Sequence, residues 1–184
     1  MFFMTEKLEK RIEELEPYRY RDVIELEDIL VKESEGEIPN PEVPEDFSDF
    51  AQEKVGMLWS GWDKYLWLHL DAEFPSEWTD RRLLGLFDFG KTGGGNNSGF
   101  ESMLYMNGKP YQGVDSNHKE VFFDQSAAGQ KLGLTFRLWS GMEGGGVPTA
   151  QEHQIKRAAL AWLDEKADDL YYLSKMVLGT IQEL

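Results

Sequence analysis

The 184-residue sequence predicts a mainly β protein, an antiparallel and jelly-roll-like β-sandwich with a short N-terminal helix and a C-terminal helical segment. Three observations lead to this fold class. Apolar and polar residues alternate along residues 65–74 and 131–139, as in strands with one buried face. Asn107 and Gly108 stand between apolar residues, which is a strong hairpin signal. Strands and turns recur about every ten residues, without the helices that a βαβ sheet requires.

The two alternating segments define the predicted core. Each one places apolar residues at every second position, so we expect both to be half-buried strands. The inward residues are Leu66, Leu68, Leu70, Ala72 and Phe74 in the first segment, and Leu132, Leu134, Phe136 and Leu138 in the second. Four tryptophans fall within residues 59–78, and such a cluster usually belongs to a core.

The N-terminal part of the chain predicts a helix followed by a strand. Residues 5–16 alternate charged and apolar residues at helical spacing, and Pro17 ends the pattern. The apolar stripe of this short helix consists of Leu8, Ile12 and Leu15. The segment 22–27 then resembles a strand, with Val23 and Ile24 near its start.

Residues 28–53 are predicted to be an acidic linker. Between Glu25 and Glu53 the sequence has 11 acidic residues and one basic residue. Pro39, Pro41 and Pro44 restrict their neighbours to extended conformations, so the stretch should be extended or looped. Such a run could bind cations or a basic partner, although a solvated linker is its commoner meaning.

Apolar residues take helical spacing after residue 148. Thr149 and Glu152 fit the capping box that begins many helices, and no Gly or Pro follows before Gly179. The apolar positions are Ile155, Ala158, Ala159, Trp162, Leu163, Leu170, Leu173, Met176, Val177 and Ile181. The sequence therefore predicts a β-sandwich domain over residues 1–148 and a connector of one or two helices over residues 149–184.

One motif suggests nucleotide binding. Residues 85–92, GLFDFGKT, match the GxxxxGK[ST] pattern of a P-loop, with Lys91 and Thr92 in the required places. The context is wrong, because Phe87 and Phe89 would occupy a loop whose backbone must approach phosphates. The Gly- and Asn-rich sequence after the motif also cannot propagate a helix. A strand that ends in a glycine-rich loop is the better interpretation.

Composition excludes several functional classes. The chain has no cysteine, and therefore no disulfide, thiolate metal site or cysteine nucleophile. A formal net charge of −15 would repel nucleic acids and anionic lipids, so we expect neither nucleic acid nor membrane as a partner. The sequence has no apolar run of about 18 residues and no signal-peptide pattern. We therefore expect a cytoplasmic protein.

Two groups of polar residues could carry chemistry. His69 and Asp71 share one face of a strand, which suits a divalent metal, but two ligands are too few. A sharper concentration lies between the hairpin and the next strand, and its members are Asp115, Asn117, His118 and Glu120. These four are the candidate substrate-binding residues. The alternative is an Asx-type turn in which His118 anchors the loop.

Five features in order give the chain a family resemblance. They are a Trp-rich entry at Trp59, Trp62 and Trp67, a turn with Pro75 and Trp78, an Asn-Gly-x-Pro-x-Gln-Gly hairpin at 107–113, an Asp-x-Asn-His-x-Glu run at 115–120, and a helical segment with Leu170 and Tyr171. Together they resemble the N-terminal domain of glycoside hydrolase family 38 α-mannosidases, of the cytoplasmic and bacterial branch. The resemblance covers essentially the whole chain.

The resemblance implies an accessory β-sandwich that precedes a catalytic barrel. In that family the barrel cleaves terminal α-mannose with retention, using an Asp nucleophile and a divalent metal, usually zinc. This chain is then expected to be inactive by itself, with no catalytic residue and no cofactor, and the metal is expected in the catalytic domain. The implied partners are that domain of the same polypeptide, a second copy in a homo-oligomer, and mannose-containing glycans through the full-length enzyme.

Two other classes of function stay open. A stand-alone carbohydrate-binding module would stack sugars on an exposed tryptophan, for which Trp67 and Trp139 are the candidates. A stand-alone hydrolase with paired acids would turn over a nitrophenyl α-mannoside, and we do not expect that activity.

Overall fold

The computed structural model describes residues 4–34, 36, 41–90, 101–141 and 150–183. The predicted fold class is confirmed, because these residues form antiparallel sheets with a helix near each end. The helices are α1 (Met4–Leu15) and α2 (Glu165–Glu183). The strands are β1 (Tyr20–Glu25), β2 (Asp28–Ser34), β3 (Ala51–Lys54), β4 (Leu58–Gly61), β5 (Tyr65–Glu73), β6 (Leu83–Asp88), β7 (Glu101–Met106), β8 (Lys109–Asp115), β9 (Glu120–Phe122), β10 (Lys131–Trp139), β11 (Gln151–Gln154) and β12 (Arg157–Leu163).

The strands form two main sheets and one short ribbon. The larger sheet has six strands in the order β3-β2-β5-β10-β7-β8, and the smaller has four in the order β1-β12-β6-β9. A third pair, β11 with β4, forms a separate two-stranded ribbon. The central pair of the larger sheet runs in unbroken register over nine residues, from Tyr65 opposite Trp139 to Glu73 opposite Lys131.

The core lies between the two main sheets, as the alternation predicted. The inward residues of β5 and β10 are all buried, namely Leu66, Leu68, Leu70, Ala72, Leu132, Leu134, Phe136 and Leu138, together with Phe74 after β5. Phe136 of β10 meets the rings of Phe87 and Phe89 from the opposing sheet, at centroid distances of 4.8 and 4.9 Å. These aromatic contacts join the two layers.

The two central strands of the smaller sheet, β6 and β12, are buried on both faces. Phe87 and Leu160 face the inter-sheet core, while a second buried cluster occupies the other face. That cluster consists of Leu84, Leu86, Ala159, Ala161 and Leu163, with Tyr20 packed against it. Strands covered on both sides show continuous apolar runs rather than alternation.

The predicted hairpin is confirmed in detail. Asn107 and Gly108 have φ angles of 49° and 76°, and they connect β7 to β8. Both central residues of a type I′ turn need positive φ, which asparagine and glycine tolerate best. The side chain of Asn107 also accepts a hydrogen bond from the backbone N–H of Gly133, at 3.1 Å.

The predicted helix over residues 149–163 is wrong. Residues 151–154 form β11 and residues 157–163 form β12, which pairs with β6 and β1. Ala158, Ala159, Leu160 and Ala161 are all buried, so the segment is a strand covered on both faces. A short apolar run of this kind cannot be told from a buried helix by periodicity. Thr149 lies outside the described residues.

The helical prediction holds only for the last part of the described chain, where α2 begins at Glu165. The backbone N–H of Asp168 donates to the backbone oxygen of Asp164, and the backbone N–H of Ala167 donates to the Asp164 carboxylate. Asp164 therefore caps the helix. In the described part of the chain, no helix is long and apolar enough to cross a membrane.

The prediction of an acidic linker over residues 28–53 is also wrong in part. Both of its ends are strands, because β2 and β3 add to the edge of the six-stranded sheet. Ile29 and Val31 are buried there, and this short alternation decided the structure despite the surrounding acids. Among the described residues of this stretch, Gly36 and residues 41–50 lie outside the strands, and residues 41–50 contain two of the three prolines.

The P-loop interpretation is excluded by local structure. Gly85 lies within β6, where successive residues pair with β12, so residues 85–88 form a strand and not a phosphate loop. Gly90 has a φ of 94°, and a Cβ there would come within 2.6 Å of the carbonyl oxygen of Gln154. Glycine is therefore required for backbone contact with β11. Lys91 and Thr92 lie outside the described residues.

We expect Gly90→Ala to lower the free energy of unfolding by about 2–4 kcal/mol, since the new methyl meets backbone that cannot yield. Gly108 is a matched control, because its φ is also positive but no atom lies within 4 Å of its hypothetical Cβ. Gly108→Ala should cost only about 1 kcal/mol. Urea denaturation measures both variants, and equal losses would show that the contact with Gln154 is unimportant.

Candidate functional site

Three of the predicted substrate-binding residues come together where β8 ends at Asp115 and in the loop that follows it. Asp115 accepts hydrogen bonds from the backbone N–H groups of Asn117 and His118, at 2.7 and 2.9 Å. The Nδ1 atom of His118 also donates to the Asp115 carboxylate, 2.9 Å from Oδ2. This geometry is the Asx-type turn, anchored by His118, that the sequence offered as the alternative.

The Asp115–His118 pair holds an exposed imidazole in one orientation. Burial raises the pKa of the Asp115 carboxyl, but the hydrogen bonds from His118 and from two backbone N–H groups outweigh it and lower that pKa. Asp115 is thus ionised at neutral pH, while 71% of the His118 side chain is exposed. The pair can offer hydrogen bonds to a polar ligand. Whether it touches a substrate stays a prediction.

Glu120, the fourth predicted residue, belongs to a different group of contacts. Its carboxylate accepts a hydrogen bond from Arg19 at 2.8 Å and a further one from the hydroxyl of Tyr20. Arg19 follows α1 in a short 3-10 helix, and it also binds Asp168 of α2 at 2.6 Å. We call Arg19, Tyr20, Glu120, Asp168 and Tyr172 the Arg19 cluster. It connects α2 to the smaller sheet.

Arg19 is 3% exposed, so its charge depends on these partners. Its Nη2 atom also lies 3.3 Å from the hydroxyl of Tyr172, and its guanidinium is within 5.0 Å of the rings of Tyr20 and Tyr171. Burial by itself would lower the pKa of Arg19, but the hydrogen bond to Asp168 and the charge of Glu120 outweigh it and raise that pKa. Burial raises the pKa of Tyr20, because it disfavours the charged phenolate, and the hydroxyl therefore stays protonated and donates to Glu120. These hydrogen bonds and ion pairs attach α2 to the smaller sheet through Arg19.

His69 and Asp71 do not form a metal site. The Nδ1 atom of His69 is hydrogen-bonded to the hydroxyl of Thr135 at 2.9 Å, while its Nε2 atom lies 3.6 Å from Asp71. Phe47 stacks on the buried imidazole, with ring centroids 3.6 Å apart. Burial lowers the pKa of His69. Within the described ranges no three His, Asp or Glu side chains converge to hold a metal ion, so these residues do not fit a zinc centre.

The predicted tryptophan core is largely confirmed. Trp59, Trp67 and Trp78 are buried, and Trp62 is exposed. Trp67 therefore cannot serve as the sugar-stacking residue of a binding module, because no ligand can reach its ring. Trp139, the other candidate, is half-buried on the outer face of the six-stranded sheet.

Among the described residues, six of the 15 exposed large apolar and aromatic side chains belong to helix α2. One of its faces packs against Ile12 of α1 through Tyr171 and Leu178. A second face is exposed, and large apolar side chains recur along it at spacings of three and four residues. We call these residues the α2 stripe: Leu170, Leu173, Val177 and Ile181, with exposures of 53%, 61%, 48% and 48%.

Sequence reasoning placed the residues of the α2 stripe on a helix but did not predict that they would be exposed. The pattern contained a usable signal, because the predicted sandwich already had a complete core without them. The Arg19 cluster gave no comparable signal, since an arginine after Pro17 looks like any surface residue.

Comparisons with known proteins give a family and a fold. Residues 25–161 match the family model described as "Alpha-mannosidase, jelly roll domain". The match extends past residue 148 through the strands that replace the predicted helix. No curated protein sequence matches the chain significantly.

Similar solved structures share the fold at low sequence identity. A Faecalibacterium prausnitzii β-glucuronidase matches with a TM-score of 0.54 and 9% identity, over 77% of this chain and 31% of its own. An apo β-glucuronidase from Ruminococcus gnavus matches with a TM-score of 0.52 and 12% identity, over 78% of this chain and 29% of its own. A Bacteroides uniformis β-glucuronidase matches with a TM-score of 0.52 and 15% identity, over 77% of this chain and 18% of its own. The chain thus spans less than a third of the length of these proteins, and identities this low show the fold alone.

Proposed function

Because the chain belongs to the family of α-mannosidase jelly-roll domains, we propose that it is a non-catalytic domain of a larger α-mannosidase. In this proposal it packs against the catalytic domain and shapes the entrance to the active site. The solved structures support the first part, since in each of them the same fold makes up less than a third of a longer hydrolase.

The observation that carries the proposal is the α2 stripe. Soluble proteins rarely leave a continuous apolar patch in water, and such patches usually mark interfaces. The stripe lies on a helix that the Arg19 cluster fixes to the sandwich, so a partner that binds it would be held in a defined orientation. We infer that the catalytic domain of the same polypeptide covers this stripe.

The loop of Asp115 and His118 supplies the second part of the proposal. Its exposed imidazole is oriented by an ionised carboxylate, and such groups bind hydroxyl-rich ligands well. Asn117 is exposed beside it. We propose that this loop borders the sugar entrance, while Glu120 acts within the Arg19 cluster.

The chemistry of the whole protein would lie outside this domain. We propose hydrolysis of terminal α-mannosides with retention, as in glycoside hydrolase family 38, with the divalent metal held by the catalytic domain. The described residues of this chain contribute no metal-binding cluster to that reaction. Their contribution would be packing, assembly of a homo-oligomer and access to the site.

Leu173→Glu tests the packing proposal. Leu173 is 61% exposed, so in the isolated 184-residue chain the change should leave the free energy of unfolding within about 0.5 kcal/mol of the original. In the complete α-mannosidase the same glutamate would be buried against the catalytic domain, where an unpaired charge costs several kcal/mol. We expect a lower melting temperature and a lower activity on nitrophenyl α-mannoside there.

Gln182→Glu is the matched control, because it adds the same charge at an exposed position of α2 away from the stripe. It should leave both proteins unchanged. If Leu173→Glu is also harmless in the complete enzyme, the stripe is not the domain interface. If the isolated chain is a dimer in sedimentation and Leu173→Glu makes it monomeric, a second copy is the occupant instead.

A further inference from the structure

A second patch on the outer face of the six-stranded sheet combines aromatic and charged side chains. Trp139 of β10 lies opposite Tyr65 of β5 on one side and opposite Glu101 of β7 on the other. Two residues along β10, Arg137 lies opposite Met103, and its guanidinium is 4.4 Å from the ring of Tyr65. We call these five residues the aromatic face.

The aromatic face adjoins a part of the sheet that is already covered. Phe47 stacks on His69, and Phe50 joins a buried cluster with Trp67 and Tyr105. Residues 41–50 thus occupy the middle of this outer surface. Beside them the aromatic face lines a shallow depression of about 300 Å³, which is the lower end of the usual range for ligand sites.

The two rings of the aromatic face are held in place. The indole Nε1 atom of Trp139 donates to Asp63 at 2.8 Å, which fixes the ring orientation. The rings of Tyr65 and Trp139 are nearly parallel, with an interplanar angle of 24° and centroids 6.4 Å apart. A ligand that binds here would not have to order these side chains, which reduces the entropy cost of binding.

We propose that the aromatic face binds a neutral saccharide, with a pyranose ring in contact with Trp139 and its hydroxyls hydrogen-bonded to Glu101. The C–H groups on one side of a pyranose are slightly positive, and they complement the negative face of an aromatic ring. The carboxylate of Glu101 accepts hydrogen bonds from hydroxyl groups. A shallow surface also suits a flat ring better than a globular ligand.

The charge of the chain favours neutral over anionic sugars. The formal net charge is −15, Glu101 lies opposite Trp139 on the neighbouring strand, and Asp63 accepts a hydrogen bond from the indole of Trp139. Arg137 has its own contacts, since it donates to the backbone oxygen of Gly36 at 3.0 Å and lies over Tyr65. A uronic acid would therefore meet a predominantly negative surface. This inference goes beyond the proposed function, because a domain can pack against another one without binding sugar.

Titration of the 184-residue chain with methyl α-D-mannopyranoside and with cellobiose tests the inference. Tryptophan fluorescence and saturation-transfer NMR would report binding, and we expect a saturable change with at least one of the two sugars. Trp139→Ala should weaken that affinity about tenfold, and Glu101→Gln should weaken it less. Glucuronate should bind more weakly than the neutral sugars.

Trp162→Ala is the matched control. Trp162 is also half-buried, its indole Nε1 atom donates to Asp22 at 2.7 Å, and Arg81 lies 4.4 Å from its ring, but it belongs to the smaller sheet. Its loss should leave affinity within about twofold. If Trp139→Ala does not fold, Trp139→Phe decides, since it keeps a ring and should keep binding. No saturable binding by either sugar, or equal losses at Trp139 and Trp162, would overturn the inference and leave the packing role of α2 untouched.

Discussion

Phe136→Ala is expected to lower the free energy of unfolding by about 3–5 kcal/mol. Phe136 is fully buried at the centre of β10, and its ring contacts Phe87 and Phe89 across the gap between the sheets. Alanine would leave a cavity at the point where the two layers meet, and neither sheet can collapse into it without breaking register. Urea denaturation followed by tryptophan fluorescence measures the loss.

Phe122→Ala is the control for Phe136→Ala. Phe122 is 36% exposed on β9, with Arg82 over its ring at 4.7 Å, and its truncation should cost only about 1 kcal/mol. If Phe136→Ala prevents folding, Phe136→Leu should still fold, with a smaller loss of about 1–2 kcal/mol. A cost for Phe136→Ala no larger than that for Phe122→Ala would mean that the inter-sheet contacts do not stabilise the fold.

Arg19→Met should be nearly as damaging, with a loss of about 3–5 kcal/mol. The substitution keeps much of the apolar stem but leaves the carboxylates of Glu120 and Asp168 without their common cation, and both are largely shielded from water. The repulsion between them should loosen α2 from the sandwich. Chemical denaturation gives the total loss, and hydrogen exchange should show faster exchange of the α2 amides.

Arg21→Met is the matched control for the Arg19 cluster. Arg21 also pairs with an aspartate at the start of α2, Asp164, at 2.8 Å, but 42% of its side chain is exposed. Exposed ion pairs contribute about 0–1 kcal/mol, so this variant should be close to the original in stability and in α2 exchange. Equal effects of the two variants would show that burial of Arg19 does not determine the strength of the joint.

The strands that the sequence predicted are those with one buried and one exposed face. Along β5 and β10, burial follows the alternation of leucines, and the Asn107–Gly108 turn has the backbone angles that its residues favour. Local chemistry determines these elements, so a single sequence is sufficient to predict them. The N-terminal helix was predicted within one residue of its ends for the same reason.

The errors occurred where tertiary packing decides the structure. Residues 157–163 are covered on both faces, so their apolar run carries no period that distinguishes strand from helix. The acids around residues 28–34 dominate the composition and predict a linker, yet Ile29 and Val31 are buried and β2 pairs with β3 and β5. Both segments are stabilised by neighbours that are distant in the sequence.

The candidate site was only partly accessible from the sequence. The Asx-type turn of Asp115 could be predicted, because short polar residues near a strand end bind their own backbone. The separation of Glu120 from that turn could not, since it depends on Arg19, 101 positions earlier in the chain. The aromatic face could not be predicted either, because its residues come from the three strands β5, β7 and β10. The sequence singled out only one of them, Trp139.

The hydrogen bond between Arg19 and Asp168 spans 149 positions of the chain, and next to it Tyr20 of β1 pairs with Leu163 of β12. These contacts hold α2 against the segment that follows α1, so regions near the two ends of the described chain are attached to each other. Closing so long a loop is slow and entropically costly. The contacts between Arg19 and Asp168 can form only after nearly all of the domain has been synthesised. A force that a neighbour exerts on α2 would therefore be transmitted to Arg19 and to β1.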